Sequence, residues 1–144
     1  MDSPVELSKL DIAKLQIERA LVLMLDEKDY VSAITLAGAS EEITGTLLRK
    51  RERLSAYDQM KTGFERIFHF LHGHAPLDGS FNELANGVRN GLKHYQDGDA
   101  LRFDPEDAAA DILDRAVSNL WALTSEESRN MERFKQYHMN RGKH

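Results

Sequence analysis

The sequence predicts an all-α protein, an antiparallel up-and-down four-helix bundle with a short extra helix and a C-terminal helix. Apolar residues recur at three- and four-residue steps along most of the chain. Capping residues and prolines mark helix starts, and alternating β-branched or aromatic runs are weak throughout. With 144 residues, 41% hydrophobic and 30% charged, the chain has room for one domain (1–144) with a core of its own.

The first helix is expected near Pro4, with Ser3 as cap and proline early in the helix. Leu10, Ala13, Ile17, Ala20, Leu21 and Met24 form its stripe, and "DEKD" ends it. The second, about Tyr30 to Lys50, has no charge from Val31 to Ser40 and is apolar or small nearly all round, the pattern of an element packed on several sides. Ala33, Ala37 and Ser40 let a neighbouring helix come close. Glu41 falls on the line through Ala37, Thr44 and Leu48, and a carboxylate near a packed face needs a partner.

"RKRER" reads as a basic surface turn. A third helix follows, with Tyr57, Met60, Phe64, Ile67 and Leu71 on one buried face and a stop at Gly73. The loop "GHAPLDGS" leads to a shorter helix from Ser80 that sends Phe81, Leu84, Val88 and Leu92 inward. Asp104 caps the next helix with Pro105 as its first residue, and Glu106 and Asp107 sit at the positive end of its dipole. Ile112, Ala116, Leu120 and Leu123 give its stripe. Thr124 and Glu127 have capping-box spacing for a last helix that buries Met131 and Phe134.

The totals exclude several function classes. Cysteine is absent, so there is no disulfide framework, thiolate nucleophile or thiolate metal site. The acidic N-terminal stretch does not have the form of a signal peptide. The longest nearly charge-free run is too short to cross a bilayer, so no membrane partner is expected and the chain reads as cytoplasmic. A net charge of −5 argues against broad polyanion binding, so any contact with nucleic acid has to be local.

His69, His72 and His74 invite a metal reading, but no Glu-x-x-His or His-x-x-x-His completes a set on that helix. They read as a polar face running into a loop, and neither a metal nor another cofactor is expected. No phosphate loop or serine nucleophile elbow is present.

What remains is "NGVRNGLKHY". Asn90 and His94 are four residues apart and share a helix face, whereas Arg89 and His94 lie about 140° apart in an ideal helix. A bend at Gly91 would bring them round a common point. Gly87 and Gly91 together form a bare ridge on which a second subunit can lie. Two readings stand side by side here. One is a helix end whose cationic side chains face the dipole; the other is an active site.

Arg89, Asn90 and His94 match, position for position, an arginine, a polar residue, three variable residues and a histidine. In this the segment resembles the HEPN superfamily. The resemblance covers residues 5–123 in architecture and the hexapeptide in specific residues. It implies an all-helical bundle, a metal-independent endoribonuclease with RNA as substrate, and a site built across a homodimer. It also implies a toxin–antitoxin or antiviral setting, with an antitoxin or a nucleotidyltransferase as partner. Members without catalysis serve as interaction or dimerisation modules, a second reading for this chain. In toxin members paired with a nucleotidyltransferase, a tyrosine two positions after the histidine can be modified; here Tyr95 follows His94 directly, a departure from that pattern.

The implied chemistry is coherent. Histidine ordinarily titrates near neutrality, so His94 is suited to take the proton of a ribose 2′-hydroxyl. Arg89 offers a planar fork to phosphate oxygens, Asn90 can orient either residue, and Glu41, if close, can hold Arg89. Arg89 and His94, as polar residues near a helix end, are expected to be dispensable for folding.

Overall fold

The computed structural model describes residues 3–93 and 99–141. These form an all-helical bundle: α1 (Lys9–Val22), α2 (Tyr30–Lys50), α3 (Ala56–His72), α4 (Ser80–Lys93), α5 (Pro105–Thr124) and α6 (Arg129–Arg141). A π-helical turn, Leu23–Glu27, closes α1 before the left-handed Lys28. Among the described residues there is no strand, and no helix is long and apolar enough to cross a membrane.

α2 is the centre, packed on α1 and α5; α6 lies against α1, α4 touches α2 and α3 touches α5. Small residues make this possible. Ala33, Ala37, Gly38, Ser40, Thr44 and Gly45 on α2, and Ala109, Ala110 and Ala116 on α5, are all buried. Around them Ile17, Leu21, Ile34, Leu113, Met131 and Phe134 fill the core. Each large apolar side chain so buried contributes about 1.5–3 kcal/mol against exposure. The buried hydroxyls of Ser40 and Thr44 donate back to the carbonyls of Ala37 (2.9 Å) and Ser40 (2.8 Å), so neither is left unsatisfied.

Several local expectations are corrected. α1 starts at Lys9 rather than near Pro4, because Ser8 is the cap: its hydroxyl accepts the Asp11 N–H at 3.0 Å. The last helix is capped by Ser128, whose hydroxyl accepts the Met131 N–H at 3.1 Å, while Thr124 ends α5 and Ser125 turns left-handed behind it. The apolar stripe of α3 is not buried. No residue of α3 is fully buried, and Met60, Ile67 and Leu71 are exposed. Tyr57 and Phe64 face Phe81 instead, with ring centroids 5.1 and 5.4 Å away. Leu84 on α4 is likewise exposed.

α3 is anchored by its first turn. Ser55 and Asp58 form a reciprocal capping box, and Arg49 reaches across with Nε to Asp58 at 2.9 Å and Nη2 to Ser55 at 3.2 Å. From α5, the buried Asn119 accepts the Ala56 N–H at 2.8 Å. "RKRER" is therefore more than a surface turn, since Arg53 also donates to the Ala122 carbonyl at 2.7 Å.

Asn119→Ala should leave the Ala56 N–H without its partner and cost about 1–3 kcal/mol in urea unfolding. The same hub should respond to acid. Burial pushes the Asp58 carboxyl up, but hydrogen bonds from Arg49 and Ser55 outweigh it and hold the group below its ordinary 3.8. With the folded value the lower one, Asp58 stabilises the protein above pH 3.8, and the gain is lost as pH falls through that value to the folded one. An Asp58→Asn variant should lack this part of the acid dependence.

Candidate active site around Arg89

The apolar face of α4 turns Phe81, Val88 and Leu92 to the core and swings Arg89 toward α2. Its methylenes lie against Gly38, where an added Cβ would stand 2.4 Å from Arg89 Cδ. Arg89 Nη1 donates to Glu41 Oε2 at 3.1 Å, and Nη2 pairs with Glu42 Oε1, also at 3.1 Å. The Arg89 side chain is 10% exposed and that of Glu41 7%, against 52% for Glu42. The contact between Glu41 and Arg89 considered from the sequence is present.

A second guanidinium shares the same carboxylate. Arg115 of α5, 3% exposed, brings Nε to 3.5 Å from Glu41 Oε1. Its Nη1 donates to the Ala85 carbonyl at 3.2 Å and its Nη2 to Asn86 Oδ1 at 2.8 Å. Asn86 donates in turn to Asn82 at 2.8 Å. α2, α4 and α5 thus meet at one buried carboxylate. Among the described residues, the Nε atoms of Arg89 and Arg115 are buried without a hydrogen bond.

Burial governs the titration of this cluster. It pushes the Glu41 carboxyl above its ordinary 4.5, and the attraction of Arg115 and Arg89 recovers only part of the shift. It pushes the Arg115 guanidinium down, with Glu41 opposing and Arg89 adding to the fall.

Of the residues singled out in the sequence, Arg89 and Asn90 lie on α4, Asn90 half-buried. His94 and Tyr95 lie outside the described residues. α4 runs helical through Gly91 to Lys93. The Gly87/Gly91 ridge is only half bare: a Cβ on Gly91 would meet Leu101 at 2.9 Å, whereas Gly87 has nothing within 4 Å. The expectation that Arg89 is dispensable for folding is corrected by its burial between two carboxylates.

Sequence reading missed Arg115, Asn86, Glu42 and Gly38. A signal existed for one of them, because Arg115 falls with Ile112, Ala116 and Asn119 on the buried side of α5. His72 and His74 pack with Phe68, at 4.4 and 5.6 Å between ring centroids. Among the described residues no three His, Asp or Glu side chains converge as a metal set would. A groove of about 380 Å³ between α5 and α6, lined by Trp121, Met131, Phe134 and His138, involves none of the Arg89 cluster. Comparison with family models, with curated proteins and with solved structures gave no match.

Glu41→Gln should leave two buried guanidiniums facing each other without a counter-charge and cost about 3–5 kcal/mol. Glu42→Gln, at the half-exposed partner, should cost under about 1 kcal/mol. Urea unfolding at neutral pH compares the two.

Proposed function

We propose that the chain is a HEPN-like, metal-independent endoribonuclease acting as a homodimer of antiparallel up-and-down helical bundles. The observation that supports it most is how Arg89 is held. Its Nη1 is fixed by the buried Glu41, while its Nη2 meets the half-exposed Glu42. A phosphate oxygen can replace an exposed carboxylate on that nitrogen without disturbing the buried bond. The guanidinium is thus oriented in advance, which is what stabilising charge gained in a transition state requires.

In the proposed reaction His94 takes the proton of a ribose 2′-hydroxyl, and the 2′ oxygen attacks the adjacent phosphorus. The bond from phosphorus to the 5′ oxygen breaks, the leaving oxygen gains a proton, and a 2′,3′-cyclic phosphate remains. Arg89 steadies the added negative charge, and Asn90 orients the histidine one helical turn on. The same resemblance proposes a cytoplasmic toxin or antiviral role, with an antitoxin or nucleotidyltransferase as partner.

A second reading has its own support. With both terminal nitrogens engaged and 10% of its side chain exposed, Arg89 can serve wholly as a tie between α2 and α4 in a non-catalytic interaction module.

Purified protein should cut single-stranded RNA in the presence of EDTA and leave cyclic or 2′/3′-phosphate ends. His94→Ala should slow cleavage by about 10²–10⁴-fold. Arg89→Lys, which keeps the charge but loses the fork, should cost about 10²–10³-fold. Unfolding curves measured alongside separate lost chemistry from lost structure. No cleavage by the wild type would establish the second reading, and cleavage surviving in the histidine variant would remove His94 from the mechanism.

A further inference from the structure

The first turn of α3 is tied to α2 and α5, yet the rest of the helix keeps a broad apolar surface in solvent. Met60 is 48% exposed, Ile67 63%, Phe70 86% and Leu71 66%, with Leu77 in the following loop at 86%. At 100° per residue the four helical positions, together with Gly63, fall within an arc of about 100°. The adjoining part of the same apolar side carries Tyr57 and Phe64, which face Phe81. The helix therefore has one broad apolar side, and only its edge meets its own chain.

Gly63 stands within the exposed arc. A Cβ there would meet nothing within 4 Å, and the residue does not adopt a positive φ. Glycine within a helix is unfavourable relative to alanine, and neither the backbone nor the packing of a single copy calls for it here. A bare point among Met60, Ile67 and Phe70 lets a facing helix come close.

We infer that this face of α3 is the seat of a second copy of the chain. The inference rests on the homodimer reading above and adds the surface. Area supports it. The four helical side chains expose roughly 450 Å² of apolar surface, whereas each partner in a standard interface contributes about 800 Å², rather more than half of it apolar. A polyanion or an anionic membrane asks for a basic partner surface, and the chain carries a net −5.

The absence of cysteine makes the test direct. Ile67→Cys, treated with a short thiol cross-linker, should give a covalent dimer, and Leu15→Cys on α1, 64% exposed, should not. Sedimentation should show the wild type dimeric at micromolar concentration. Gly63→Leu should weaken that dimer at least tenfold with its circular dichroism unchanged, since the position is open in one copy. A wild type that stays monomeric, binds vesicles through α3, or dimerises undisturbed by Gly63→Leu overturns the inference. RNA cleavage scored on the same samples keeps the two readings apart. A dimer that cuts RNA but neither cross-links at Ile67→Cys nor responds to Gly63→Leu removes this interface and leaves the ribonuclease; a dimer through α3 that cuts nothing does the reverse.

Discussion

Glu41 answers two guanidinium groups from two different helices, Arg89 of α4 at 3.1 Å and Arg115 of α5 at 3.5 Å, from a place nearly closed to water. Removing three charges from solvent is costly, and their mutual attraction roughly offsets that cost only when each has its counterpart. The cluster is therefore weak as a source of net stability and strong as a rule of assembly. α4 also packs Val88 and Leu92 on the core, and the bond of Arg89 to the carboxylate helps fix its rotation about its own axis.

The two halves of the molecule are built on different principles. α1, α2, α5 and α6 bury small and branched side chains against one another. α3 and α4 are held by a few directed bonds: the capping box, Arg49 with Asp58, Asn119 with Ala56, and Arg115 with Asn86. Directed bonds fix position with little apolar burial. Local opening free energies should accordingly be lower for this pair than for the core helices.

Helix positions were largely legible because local chemistry decides them. Tyr30 to Lys50 was read with its true ends, and Asp104 with Pro105 marked α5, because a side-chain cap and a fixed φ act within one turn. The expected start of the first helix is too early because Ser3 reads as its cap, whereas Ser8 is the residue whose hydroxyl accepts an N–H three residues on. The stripe of α3 misled for a different reason. Periodicity reports that a face is apolar and not what covers it, so Met60 and Ile67 read like core residues. At the site, Glu41 stood out as an acid on a packed line, but its partners come from 48 and 74 positions further along the chain. Such pairings depend on how helices cross, which no local pattern records.

Gly38 and Arg89 share one volume. The arginine's methylenes fill the space that any side chain at position 38 would need, within 2.4 Å of its first carbon. The consequence is genetic as much as structural. In chains of common descent, neither position is free to drift alone: a larger residue at 38 requires a shorter one at 89, and once 89 has shortened, Glu41 loses a counter-charge. The two sites should therefore exchange residues in step, and an alignment deep enough to detect covariation would show them as a coupled pair 51 positions apart.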